Sequence, residues 1–330
     1  MRAPSFWWRR AGFAAGLMAP LAAVYGRIAA ARLGRPGVAP GIPVLCIGNL
    51  TVGGAGKTPT ALAVARLLAA AGERPVFLSR GYGGRLAGPV QVDPRRHGAT
   101  DLGDEPLLLA REAPAIIARD RVAGARAAVA AGASVIVMDD GFQNPSLRKD
   151  AALLVIDGRR GIGNGRVLPA GPLRAPLAPQ LARADAILVV GEASAAAAVV
   201  AAARGRGLKV FHGRLTPDPA AVAAIGARKV LAFAGISDPE KFFATLAEAG
   251  IEAPVRRAFS DHHGYTPQEA AGIVADAARH GLVPLTTEKD FVRLSGALAD
   301  CTQVLPVTLE LDEPEDFRRF VLGAVAAASA

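Results

Sequence analysis

Residues 43–60 read PVLCIGNLTVGGAGKTPT, and no other stretch narrows the possible folds as far. Pro43 to Ile47 is an apolar run of strand length. From Lys57 onward, Ala61, Leu62, Val64, Ala65, Leu67 and Leu68 recur at helical spacing. A strand, a glycine turn and Gly-Lys-Thr opening a helix form the context of a phosphate-binding loop. Gly53, Gly54 and Gly56 let backbone N–H groups turn inward without Cβ clashes, and the helix N-terminus adds partial positive charge. On this reading Thr51, Val52, Gly53, Gly54, Ala55, Gly56, Lys57 and Thr58 surround a nucleotide's phosphates. Lys57 reaches the β- and γ-phosphates and the Thr58 hydroxyl ligates Mg²⁺. The usual pattern has a glycine six residues before the lysine; Thr51 stands there instead. The bland alternative is a glycine turn that only caps a helix.

Downstream, apolar strands alternate with helices. Strands are expected at Arg74–Ser79, Ala115–Ala118, Ser134–Met138, Ala151–Ile156 and Ala186–Val190, and helices at Asp104–Ala113 and Arg121–Ala131. Near-continuous apolar strands separated by helices predict a parallel sheet covered on both faces. Its ligands belong beyond the strand C-terminal ends, where the glycine loop, Arg80, Asp139, Asp140 and Asp157 all fall. The pattern loosens over residues 216–228, and a second, smaller series follows. Its strands are expected at Lys229–Ala234, Pro254–Phe259, Leu282–Thr286 and Val304–Leu311, its helices at Pro239–Ala249 and Pro267–His280. The expectation is an α/β protein: an N-terminal helix (1–35), a P-loop NTPase-like parallel sheet core (36–220) and a smaller C-terminal α/β lobe (221–330).

The chain has 330 residues, 51 % hydrophobic and 20 % charged, which excludes a disordered chain and suits about two domains. Its net charge of +9 calls for an anionic partner, nucleic acid or membrane surface. The distribution decides: the first acid is Glu73, and before it stand Arg2, Arg9, Arg10, Arg27, Arg32 and Arg35 around an apolar stretch. Ala11–Tyr25 is too short to span a bilayer and is interrupted by Pro20. Trp7 and Trp8 beside Arg9 and Arg10, with Tyr25 and Arg27 at the far end, predict a helix lying in a lipid interface. A cleaved signal peptide and a buried core helix are the alternatives. The two cysteines, Cys46 and Cys301, have no metal-ligand spacing and read as reduced core residues on the cytosolic side. No aromatic-basic nucleic-acid motif appears.

Asp139-Asp140 ends the strand SVIVM, where an acid holding Mg²⁺ with Thr58 belongs; a turn or cap role is the plain alternative. Asp104, followed by Glu105-Pro106 and an apolar helix, reads first as an N-cap. Asp261-His262-His263 is the paired-histidine segment. Phosphoryl transfer to a hydroxyl benefits from a carboxylate or imidazole that takes the proton, and these two segments are the candidates. The Gly- and Pro-rich run 161–174 is a long loop whose Arg166 and Arg174 suit phosphates.

In order, GNLTVGGAGKTPT, SRGYGG, GDEP, DDGFQ, GNGRVLPAGPLR, FSDHHGYT and TTEKDFVRL closely resemble the tetraacyldisaccharide 4'-kinases, the lipid A 4'-kinases of Gram-negative bacteria. The resemblance runs to about Leu294. It implies transfer of the ATP γ-phosphate to the 4'-hydroxyl of a tetraacylated glucosamine disaccharide 1-phosphate, giving lipid IVA. It also implies a monotopic enzyme on the cytoplasmic face of the inner membrane, with a P-loop core and a smaller lobe. In its terms Asp104 and His262 form the dyad that activates the hydroxyl, Asp139 and Asp140 hold Mg²⁺, and Gln143 lines the same site. Arg174 or Arg119 stands near a phosphate. Two positions depart from it: Asn144 replaces a common His, and Ala175 replaces a common acid. The rivals are a P-loop GTPase or ATPase and a nucleotide-dependent binding module. A GTPase needs Asn-Lys-x-Asp, whereas Thr287-Glu288-Lys289-Asp290 has its Lys and Asp adjacent.

Overall fold

The computed structural model describes residues 4–329; Arg2 lies outside them. Thirteen strands form among these: β1 (Val44–Asn49), β2 (Pro75–Ser79), β3 (Val90–Gln91), β4 (Ala115–Ile117), β5 (Val135–Asp139), β6 (Ala151–Asp157), β7 (Ala186–Val190), β8 (Lys209–Pro217), β9 (Val230–Ala234), β10 (Val255–Ala258), β11 (Val283–Thr287), β12 (Gln303–Leu305) and β13 (Val307–Leu311). Nine make one sheet in the order β13-β8-β7-β6-β1-β5-β2-β4-β3, parallel except for the two edge strands. Every residue of β1, β5, β6 and β7 is buried, because helices cover both faces and leave no side of the strand for polar alternation. The helices Lys57–Ala70 and Pro314–Ser329 lie on one face with Phe317 and Val321 in its core, and Arg121–Ala130 and Ala197–Arg204 pack on the other. β1 lies between β6 and β5, so the turns after these three strands converge at one edge.

The second sheet, β10-β9-β11-β12, is also parallel. Here the sequence reading of Val304–Leu311 as one strand is corrected. Pro306 separates β12, in the small sheet, from β13, which pairs antiparallel with β8 of the large one. Proline has no N–H for a ladder and suits the crossing between sheets. Residues 307–329, grouped on sequence grounds with the smaller lobe, thus return to the larger sheet, and the paired β8 and β13 form the double connection between the two. β8 itself escaped the sequence reading because its burial alternates and its apolar signal is dilute.

The N-terminus forms the short helix Phe13–Leu17 and the helix Ala19–Leu33. Among the described residues no helix is long and apolar enough to cross a membrane. Trp7 departs from the interfacial placement expected of it. It is buried, its Nε1–H donates to the Pro169 carbonyl at 2.9 Å, and Arg160 lies over the Trp8 ring at 5.0 Å.

Candidate active site

The loop after β1 is built as its glycines predict. Gly53 (φ +106°) and Gly56 (φ +90°) adopt left-handed backbone, and Gly56 hands the chain to the helix Lys57–Ala70, which no side chain caps. Thr51 needs no such freedom. It pairs as a β-bridge with Leu173, which explains why a β-branched residue serves where a glycine is usual. The run 161–174 is an ordered brace for this loop. Val52 N–H donates to the Pro172 carbonyl and Arg174 N–H to the Leu50 carbonyl, both at 2.9 Å.

Lys57, itself buried, reaches Asp140 at 3.7 Å. Arg174 forks onto the same carboxylate, with Nη1–Oδ1 at 2.9 Å and Nη2–Oδ2 at 3.2 Å, and donates from Nε to the Thr51 carbonyl. Burial acts to raise Asp140, but Lys57 and Arg174 outweigh it and hold the carboxyl below its ordinary range. Gln143 bridges the Asn49 carbonyl (2.8 Å) and Gln180 (3.1 Å) and accepts weakly from Arg174. The adjacent Asp139 differs in kind. It is 1 % exposed, and neither carboxylate oxygen has a hydrogen-bond partner. Burial, reinforced by the charge of Glu105, pushes its carboxyl up to about 8. A buried carboxylate without a donor calls for a cation. Among the described residues no three His, Cys, Asp or Glu side chains gather as a metal cage. Mg²⁺ held by one or two carboxylates, a hydroxyl and substrate phosphates requires none. Asp139 and the half-buried Thr58 fit that pattern.

Across the cleft, Asp104 and His262 meet although 158 residues separate them. His262 Nδ1 lies 3.1 and 3.0 Å from the two Asp104 oxygens. Asp104 is in the first turn of the helix Asp104–Leu109 but caps no amide beyond that of Glu105. Burial acts to raise it; the His262 hydrogen bond and the charges of Lys289 and Arg293 keep it below the ordinary range. With Nδ1–H donating to the carboxylate, the lone pair of a neutral imidazole sits on Nε2. Nε2 faces Lys289 Nζ (3.5 Å) and Asp261 (3.8 Å), while Tyr82 packs against the ring. His262 holds φ +57°, an unusual backbone for a non-glycine residue, fixed by its N–H donating to the Gly235 carbonyl.

Sequence spacing does not single out Lys289, Glu105, Tyr82 or Arg293. Lys289 pairs with Glu105 at 3.2 Å, and Arg293 lies 3.8 Å from Asp104. Their signal lay in TTEKDFVRL, SRGYGG and GDEP, but spacing alone does not say which face each side chain takes. His263 turns away to Glu269 (3.0 Å). Arg119 donates to the Gly84 carbonyl. Asn144 closes its own turn by accepting from Ser146, and Ala175 is fully buried in the core, so neither departure leaves a gap in the cleft.

A parallel sheet whose glycine loop feeds a Lys-Thr helix, beside a strand-end acid pair and a carboxylate–imidazole pair, defines a P-loop phosphotransferase. The family model described as tetraacyldisaccharide-1-P 4'-kinase matches residues 14–326, and the chain belongs to that family. It is 58 % identical over 327 residues to a tetraacyldisaccharide 4'-kinase of Rhodopseudomonas palustris (strain BisB18), covering 98 % of this chain and 95 % of that protein. It is 51 % identical to the protein of that name from Nitrobacter winogradskyi, covering 99 % and 98 % of the two chains. The crystal structure of an "apo" form of LpxK from Aquifex aeolicus in complex with ATP superposes with a TM-score of 0.72 at 25 % identity, over 95 % of this chain and 100 % of that one.

Proposed function

We propose that the protein transfers the γ-phosphate of ATP to the 4'-hydroxyl of a tetraacylated disaccharide 1-phosphate, a step of lipid A synthesis. The observation that carries this reading is the Asp104–His262 pair, whose Nδ1 is held by the carboxylate and whose Nε2 faces Lys289 and Asp261. The loop amides and Lys57 hold the β- and γ-phosphates, which requires Lys57 to exchange Asp140 for phosphate oxygen. Thr58 with Asp139, and Asp140 behind it, would hold Mg²⁺, whose chemistry is to neutralise charge on the phosphoryl oxygens. Arg174, fixed by Asp140 and Thr51, adds positive charge beside them. His262 Nε2 takes the hydroxyl proton as the O–P bond forms and the bond to the ADP oxygen breaks. Asp104 holds the imidazole in the required tautomer and stabilises its protonated form. Two lobes contribute to this site: the larger sheet with residues 307–329, and the smaller one within 221–305.

Membrane-surface attachment on the cytoplasmic face of the inner membrane completes the proposal. Phe13, Leu17, Leu21, Val24 and Ile28 follow at helical spacing and are 57–89 % exposed. That apolar stripe, flanked by Arg9, Arg10 and Arg27, suits an interface of anionic lipid. The opposite face of the helix borders a groove of about 420 Å³ lined by Ala22, Gly26, Val167, Pro176 and Leu177, with Arg27 and Arg166 also present, which suits an acyl chain ending near an anionic head. The test is incubation of purified protein with γ-labelled ATP, Mg²⁺ and tetraacyldisaccharide 1-phosphate in detergent micelles. Label at the 4' position of the lipid is expected. Hydrolysis without lipid labelling overturns the reading in favour of an ATPase.

A further inference from the structure

Between β9 and the helix Pro239–Glu248, the four residues Gly235–Asp238 touch both halves of the cleft. At one end Gly235 is buried and held tightly. Its N–H donates to Asp290 (2.8 Å), and its carbonyl accepts from His262 N–H and from Arg293 Nη2, both at 3.1 Å. A Cβ there would stand 2.9 Å from Asp290 Oδ1 and 3.1 Å from both Ser260 O and His263 Cβ, so the backbone has no slack. At the other end the Ser237 hydroxyl accepts the Gly54 N–H of the phosphate loop at 3.0 Å, across 183 residues of chain. A Cβ on Gly54 would stand 2.7 Å from that oxygen, so the missing side chain admits the contact. Ion pairs tie Asp238 of this segment to Arg160, just beyond β6, at 2.8 Å, and Lys241 of the helix that follows to Asp157 at the end of β6 at 3.3 Å. Ile236 packs into the small lobe's core.

A hydroxyl carries one donor and two acceptor sites. Ser237 uses an acceptor site for the Gly54 N–H, so its hydroxyl acts on the loop backbone. We propose that Gly235–Asp238 is a strap that sets His262 over the phosphate loop, with Ser237 its positioning residue for the transfer step. The strap rests on the reading of His262 as the proton acceptor. Its physical content is that the backbone holding His262 by one end is registered on the nucleotide loop by the other. The imidazole is therefore aligned to the same amides that orient the γ-phosphate.

The test is a mutant cycle on the full-length enzyme, using labelled ATP and tetraacyldisaccharide 1-phosphate in micelles, with nucleotide affinity read by titration of a non-hydrolysable ATP analogue. Ser237→Ala is expected to lower kcat by about three- to tenfold, the range a neutral hydrogen bond supports, with analogue affinity changed less than about twofold. Ser237→Thr restores most of the rate. In a His262→Ala background Ser237→Ala produces no further loss, because a residue acting through the imidazole has nothing left to align. Lys241→Met, which loosens the helix following the strap from Asp157 without touching the hydroxyl, follows the same pattern. Equal losses in both backgrounds, a loss in affinity alone, or an unchanged kcat each overturn the strap while leaving the dyad standing. Wild-type turnover in His262→Ala overturns the dyad, and the strap with it.

Discussion

Asp104→Asn isolates the charge of the dyad while keeping its volume. The wild-type carboxylate lies within 3.1 Å of His262 Nδ1 through both oxygens and is 2 % exposed on its side chain, so solvent does not substitute for it. An amide keeps one acceptor oxygen but offers an NH₂ beside it. When that NH₂ faces Nδ1 it stabilises the tautomer whose lone pair points the wrong way. The charge-assisted hydrogen bond alone supplies about 1.5–3 kcal/mol. General-base action as a whole is worth about 10²- to 10⁴-fold, or roughly 3–5.5 kcal/mol in the barrier. Turnover is therefore expected to fall by about two to four orders of magnitude. Nucleotide affinity is expected to stay within about twofold, since no hydrogen bond joins Asp104 to the phosphate loop. The fold should survive, because Arg293 keeps Asp290 (2.7 Å) and the Gly235 carbonyl as partners. Initial rates of 4'-labelling and an analogue titration measure the two quantities. A drop in kcat below about fivefold, or a loss confined to nucleotide affinity, refutes the reasoning.

Two further outcomes follow from the site and the N-terminal helix. Between pH 3.8 and about 8 the folded chain retains a proton on Asp139 that the unfolded chain has released, so this group lowers stability progressively as pH rises through that window. In the absence of metal and nucleotide, Asp139→Asn should therefore raise Tm at about pH 8 more than at about pH 5 and abolish transfer; parallel Tm profiles would refute the burial argument. Replacing Leu21, Val24 and Ile28 with Glu removes three exposed apolar side chains, each worth about 1.5–3 kcal/mol when buried. Sedimentation with anionic phospholipid vesicles should then weaken by well over tenfold, and unchanged binding would remove the stripe from the membrane proposal.

The core fold was legible because its determinants are local. Apolar runs such as Val135–Asp139 and Ala186–Val190 admit only a strand buried on both faces, and Gly-Lys-Thr after a strand admits few backbones. Where signals were dilute or competing, reading failed. β8 alternates weakly, Pro306 divides what looks like one strand, and Trp7 beside two arginines looks interfacial although the 163–170 loop buries it. The strand-end acids show the limit most clearly. Asp139 and Asp140 are neighbours of one residue type, yet one meets Lys57 and Arg174 while the other meets no donor at all.

By itself the sequence determined a parallel α/β core, a glycine loop leading into a Lys-Thr helix, a basic apolar N-terminus and membership of a kinase family, because each is written in spacings of a few residues. Tertiary structure alone decided that Asp104 faces His262 from another lobe, that Arg174 forks onto Asp140, that Asp139 is left unpartnered and that residues 307–329 return to the first sheet. Those relations depend on distances between segments more than 30 residues apart along the chain. Packing and chain crossing set such distances, and no local spacing encodes them.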